Sequence, residues 1–240
     1  MKYLNIYRNP ETLAKTFSHL LMEWVAQSPS SCFHLAVSGG STPNLLFQEL
    51  ADQYPDSVLW QKTHFWWVDE RMVGSGDPES NYGTAQRLLF SKIRIPEANI
   101  HRIHGECESS LEAASYSAQI TGAVPMLDGW PRFDLVLLGM GEDGHTASIF
   151  PGRLELLRSV LLCEVVWHPV THQQRITLTG EVINHAAAVC FLVTGTAKAE
   201  RLSEILSKGE AVKLLPASGI QPVNGELNWF ADRNAAQLVH

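Results

Sequence analysis

The sequence predicts an α/β fold with a mainly parallel sheet covered by helices on both faces, organised as one domain over all 240 residues. Three observations carry this expectation. Short unbroken apolar runs such as Phe133 to Leu138 have the character of strands buried on both faces. Helical segments long enough for crossover connections separate them. Several strands empty directly into glycine-rich loops, and no internal repeat, low-complexity tract or long linker interrupts the alternation.

Taken in order, a strand at Tyr3 to Tyr7 leads to a helix with Asn9 as N-cap and Pro10 at its first position, running to about Gln27. A strand at Cys32 to Val37 follows, then the loop Ser38 to Pro43 and a helix through about Gln53. Next come a strand at Thr63 to Val68, the segment Asp69-Glu70-Arg71, a glycine-rich loop from Gly74 to Glu79, and a helix opened by Ser80-Asn81 that runs to about Phe90. A short strand around Ile100 to Ile103 and a helix from Ser109 to Ile120 precede the central strand. After Gly152, strands are expected near Leu161 to Val166, Arg175 to Leu178 and Ala188 to Val193, with helices at Glu181 to His185 and Ala197 to Ser207. The tail reads as a short extended piece, Gly225 to Phe230, and a closing helix, Asp232 to Leu238.

Composition narrows the function. The formal net charge is -7 and the sequence pI is near 5.8, so the surface does not attract nucleic acid or anionic membrane, and an anionic ligand must be held by local positive charge. No stretch approaches the ~20 apolar residues of a membrane span, and the N-terminal MKYLNIYRNP lacks an exporting apolar segment, so a cytoplasmic protein is expected. The four cysteines form no CxxC pair, and Cys32 and Cys190, inside expected strands, read as small buried hydrophobes. Among ten histidines, His101/His104 and His168/His172 are the close pairs. Neither forms HExxH and Pro169 opposes a helix through the second, so all four read as surface or loop residues and no metal site is expected.

Chemistry concentrates in three loops at expected strand ends, where open α/β sheets bind ligands. The first follows Phe133 to Leu138: Gly139, Gly141 and Gly144 alternate with Glu142, Asp143 and His145, and His145 to Ser148 offers a helix start. The second, Ser38-Gly39-Gly40-Ser41-Thr42-Pro43, ends in Thr42 as an N-cap with Pro43 behind it. Its glycines let backbone N–H groups face a phosphate at a helix N-terminus, although the same loop serves equally as a tight turn; it is not a Walker A motif. The third is Val68 to Arg71 with Ser80-Asn81-Tyr82 beyond it. Asp69 at a strand end can position a hydroxyl, and Arg71 can clamp an anion in a planar fork.

SGGSTP, VDER followed by SNY, and GMGEDGHTASIFPG, in this order and separation, resemble the 6-phosphogluconolactonase family, within the group that includes glucosamine-6-phosphate deaminase. Arg175 to Thr179, Gly195 with Lys198, Leu215-Pro216-Ala217 and Trp229-Phe230 ahead of Asp232 extend the resemblance over roughly Tyr3 to Leu238. It implies a Rossmann-like three-layer α/β/α fold, hydrolysis of 6-phospho-glucono-1,5-lactone to 6-phosphogluconate in the oxidative pentose phosphate pathway, and no cofactor. Its partner would be a small phosphorylated sugar lactone.

Lactone hydrolysis needs a base for the attacking water, and a neutral imidazole suits that role near pH 7. His145 is the candidate base, with Asp143 and Glu142 either tuning it or remaining solvated. The backbone of Gly39, Gly40, Ser41 and Thr42, with Arg71, Lys198 and Arg175, is assigned to the phosphate. Asp69 joins the catalytic set as a positioning group for sugar hydroxyls or for Arg71 rather than as a proton carrier. Two rivals stand beside this reading. A deaminase-isomerase of the same group has a glutamate five positions after the loop histidine, where this chain has Phe150. A non-catalytic sugar-phosphate sensor has no use for an intact Asp143-Gly144-His145.

Overall fold

The computed structural model describes residues 2–207, 212 and 214–239. Along the chain the strands are β1 (Lys2–Tyr7), β2 (Phe33–Val37), β3 (Thr63–Trp67), β4 (Asp69–Arg71), β5 (Ile100–His101), β6 (Met126–Leu127), β7 (Trp130–Pro131), β8 (Leu135–Leu138), β9 (Cys163–Trp167), β10 (Gln174–Leu178), β11 (Ala188–Val193) and β12 (Glu226–Asp232). The helices are α1 (Pro10–Gln27), α2 (Ser41–Gln53), α3 (Asn81–Leu88), α4 (Ser109–Ala123), α5 (Gly180–Asn184) and α6 (Ala199–Ser207).

Seven strands form one sheet in the order β1-β12-β11-β8-β2-β3-β5, with every neighbouring pair parallel. The expected mainly parallel architecture is the one observed. All of Leu135 to Leu138 is buried, as a strand covered on both faces requires. Consecutive residues of β3 show the two covering layers: the Trp66 ring lies 5.9 Å from Tyr116 of α4, whereas the Trp67 ring lies 5.5 Å from Tyr82 of α3. On the other half of the sheet, Phe17 of α1 meets Phe230 edge-on at 4.9 Å while Phe191 and Trp229 stack at 4.0 Å. The local signals at α1 work as read: Asn9 accepts from the Thr12 amide and Pro10 opens the helix.

From β2 the chain proceeds outward to β3 and β5, and from β8 it proceeds the other way to β11 and β12. β2 and β8 are neighbours, so the reversal lies between them, and the crevice beyond their carboxyl ends is the switch point where such sheets bind ligands. A hydrogen bond from Ser38 Oγ to the Leu137 carbonyl, 2.9 Å, ties the two ends together.

Several expectations are corrected. β9 and β10 do not join the parallel sheet; with β4 they form a separate antiparallel sheet in the order β4-β10-β9. The extended tail is β12, an interior strand between β1 and β11, and Asp232 to Leu238 closes in turns rather than a helix. There the Asp232 carboxylate accepts from the amides of Gly195 and Ala235, the second an N-cap-like bond that is followed by turns only. No helix begins at His145: Ala147 has φ 48°, and Thr146 spends its hydroxyl on the Gly139 carbonyl at the strand end. α2 begins at Ser41 rather than after Thr42, because Gly40 takes the cap position at φ 113°, a conformation glycine adopts readily. Cys32 lies outside β2 and is only partly covered, whereas Cys190 is buried. His101 is no loop residue: it lies in β5, stacked 3.9 Å from the Trp66 ring. His168, by contrast, sits in the β9–β10 turn, where its Nδ1 accepts from the Val170 and Thr171 amides.

Candidate active site

The three sequence loops converge on one cleft of about 240 Å³ at the switch point. Its lining includes Gly39, Gly40, Ser41, Thr42, Asp69, Arg71, His145, Arg175 and Lys198, so the structure brings together every candidate except Asp143, which stands one contact behind His145.

The loop after β8 is folded around a dyad. His145 Nδ1 lies 2.6 Å from Asp143 Oδ1, which also accepts from the His145 amide at 3.1 Å. Gly144 takes φ 83° to turn the chain back. A Cβ on Gly141 would collide with His145 Nδ1 and Asp143 Oδ1, so the bare glycine is what lets the dyad close over the backbone. Burial pushes the Asp143 carboxyl up, but the imidazole and amide of His145 outweigh it and hold it down to about 2. An ionised carboxylate can only accept, so Nδ1 carries the proton and Nε2 is the ring atom left for chemistry. The loop is braced from outside, where Leu215 packs on Gly144 and the Ala217 amide donates to the Gly144 carbonyl at 3.0 Å.

Glu142 takes the solvated one of its two expected roles. Its side chain is 71% exposed and, among the described residues, pairs with Lys198 at 3.8 Å. Phe150, the residue in place of a carboxylate, is buried with its ring 5.0 Å from the His145 ring.

Around the dyad stands positive charge. The first turn of α2 has no side-chain cap, so its N–H groups face the cleft with the partial positive charge of a helix start. Thr42 Oγ1 pairs with Thr194 Oγ1 at 2.7 Å, joining α2 to the end of β11, after which the chain reaches Lys198. Gly195, at φ 93°, makes that bend and is pinned through its amide by Asp232. Opposite, Arg71 and Arg175 are direct cross-strand partners in the β4–β10 ladder. Like charges so placed repel one another, and the Nε of each is buried without a partner among the described residues. Burial lowers the Arg175 guanidinium from its usual range, with Arg71 adding to the effect and Asp69 opposing it. Two guanidinium groups so placed can together hold an anion.

Asp69 is buried, and its Oδ2 accepts from the Ser148 hydroxyl at 2.7 Å; among the described residues it forms no ion pair with Arg71. The observed partner is a hydroxyl of the protein itself, that of Ser148, and not the Arg71 guanidinium. Asn81 and Ser148 were not singled out from sequence, although both lie inside quoted segments. Asn81 lines the cleft, donates to the Asp69 carbonyl at 2.9 Å and packs directly on Gly39. Polar side chains at a helix start and beside a loop histidine were the available signal.

Known proteins share both the sequence and the fold of this chain. The family model described as glucosamine-6-phosphate isomerases/6-phosphogluconolactonase matches residues 8–229. A 6-phosphogluconolactonase of Aggregatibacter actinomycetemcomitans is 44% identical over 86% of this chain and 87% of its own, and that of Haemophilus influenzae is 42% identical over the same shares. Among solved structures, the 6-phosphogluconolactonase from Trypanosoma brucei superposes with a TM-score of 0.89 at 27% identity, covering 99% of this chain and 98% of its own. A monomeric glucosamine-6-phosphate deaminase reaches 0.83 at 19% identity over 98% and 99% of the two chains, a likeness of fold alone. The chain belongs to the glucosamine-6-phosphate isomerase/6-phosphogluconolactonase family.

Proposed function

We propose that this chain hydrolyses 6-phospho-D-glucono-1,5-lactone to 6-phospho-D-gluconate, the lactone-opening step of the oxidative pentose phosphate pathway, in the cytoplasm. The observation that carries the reading is the 2.6 Å contact between His145 Nδ1 and Asp143, set in a cleft with three cationic side chains, Arg71, Arg175 and Lys198. In this reading the amides of Gly39, Gly40, Ser41 and Thr42, together with those cations, take the phosphate. Asp69, held by Ser148, orients sugar hydroxyls. His145 Nε2 removes a proton from water as its oxygen attacks the lactone carbonyl carbon. The tetrahedral adduct then expels the ring oxygen, which takes the proton from the imidazolium and becomes a hydroxyl, leaving the acid. Asp143 stays ionised and steadies the imidazolium.

Phe150 favours this reading over aldose-ketose chemistry, because an apolar ring against His145 supplies no carboxylate for ring opening. The test is acid release from freshly made phosphorylated lactone, with the spontaneous rate subtracted, in the parent protein and in His145→Asn. The parent should exceed the spontaneous rate by orders of magnitude. Parental activity in the variant would assign the base elsewhere.

A further inference from the structure

We propose that Glu70 is a positioning residue that sets the Arg71 side of the cleft. The proposal rests on the reading of Arg71 as a substrate-holding cation. Glu70 is 1% exposed and pairs with no cation among the described residues, an expensive placement for a carboxylate unless dipoles surround it. Four donors do so. Oε1 accepts from the amides of Arg71 and Asn81, each at 2.8 Å, and Oε2 accepts from the Tyr82 amide at 2.8 Å and the Ser80 hydroxyl at 3.1 Å. Burial pushes the carboxyl up, against the pull of the Tyr82, Asn81 and Arg71 amides.

Those donors come from both ends of the segment between β4 and α3, so one side chain closes the segment. The Arg71 guanidinium is tied into it through a bond from Nη1 to the Glu79 carbonyl. On the far side, the Asn81 that Glu70 fixes donates to the Asp69 carbonyl and packs on Gly39. Glu70 is not itself among the residues lining the cleft, but through its bonds to the amides of Arg71 and Asn81, which do line it, it sets where Arg71 stands. Gln cannot substitute, because its –NH₂ would face N–H or O–H donors in place of an acceptor.

The experiment is a double-mutant cycle of Glu70→Gln with Arg71→Ala, reading kcat/KM on fresh phosphorylated lactone with the uncatalysed rate subtracted. Glu70→Gln should lower kcat/KM roughly tenfold or more beside the native Arg71, but less than about threefold in the Arg71→Ala background, since residues acting as a unit are not additive. A purely structural role lowers Tm but costs the same factor in both backgrounds, and that result overturns the proposal. Arg71→Ala with parental kinetics would overturn the reading of Arg71 as well, so the two failures are distinct. Where Arg71→Ala reaches the spontaneous floor, Arg71→Lys serves as the second background. Should Glu70→Gln fail to fold, Ser80→Ala, which deletes one of the four donors, is held to the same criterion of a loss that disappears without Arg71.

Discussion

Asp143 Oδ1 receives both the ring Nδ1 and the backbone amide of His145, at 2.6 and 3.1 Å, so one carboxylate fixes the tautomer and the orientation of the imidazole together. Asp143→Asn should therefore lower kcat/KM by about a hundredfold to ten-thousandfold, the range associated with a lost base, with KM less affected. With the Asp143 carboxyl held at about 2, it stays ionised through any practical assay, so no loss of activity between pH 8 and 5 should come from Asp143 itself. Initial rates from pH 5 to 8 check this, and an unchanged kcat in the variant would leave Asp143 without a part in the chemistry.

Lys198 and Arg175 both line the cleft. Lys198→Ala and Arg175→Ala should each raise KM for the phosphorylated lactone at least tenfold, an effect of the size expected for charge-assisted contacts, while unphosphorylated gluconolactone is little affected. Glu142→Gln should change KM less than about twofold, because an exposed pair 3.8 Å apart contributes little. Equal effects on both lactones would take the cation concerned out of the phosphate site.

Gly141 and Gly122 offer a matched contrast. Gly141→Ala places a methyl into His145 and Asp143, so kcat/KM should fall by at least about tenfold even where the protein stays folded. Gly122→Ala, in α4 with open space around it, should leave activity intact and stabilise by about 0.5–1 kcal/mol. Kinetics and thermal melts of the two proteins decide the matter; a fully active Gly141→Ala would mean that the loop relaxes without disturbing the dyad.

Far from the cleft, His34, His64 and His101 lie side by side on β2, β3 and β5, with His64 Nδ1 3.0 Å from His101 Nε2 and Trp66 Nε1 donating to His34 Nδ1 at 3.2 Å. Burial, reinforced by His64, lowers His34 to about 4; burial with His64 and His34 does the same to His101. Both values lie below the unfolded value near 6.5, so the neutral form is favoured by folding. The stability they add is complete above about 6.5 and drains away as pH falls toward 4, at up to about 1.4 kcal/mol per pH unit for each. Melting curves should show Tm falling across that window. His101→Phe, which keeps a ring on Trp66, should flatten the fall, and an identical pH profile in the variant would place the acid sensitivity elsewhere.

Much of this protein was legible in the sequence because its signals are local. Asn9-Pro10 opens α1 through a side-chain cap and a fixed φ, and the apolar run ending at Leu138 has no stable place except a covered strand. The loops rich in glycine and titratable groups carry their chemistry in residue type, so Gly39 to Thr42, Arg71 and His145 could be named from them, while Arg175 and Lys198 came with the family resemblance; all of them line one cleft. Pairing is a different matter, since a strand's partner lies far along the chain and is chosen by the packing of whole faces. Hence β9 and β10 go to a second sheet with β4, and the tail becomes an interior strand. Tertiary structure alone also decided that Glu70 is buried among four donors, that Asp69 holds Ser148 rather than Arg71, and that Arg71 and Arg175 stand opposite one another. Each of these depends on distances between residues separated by a loop or more, where backbone geometry and solvent exclusion, not composition, set which polar group finds which partner.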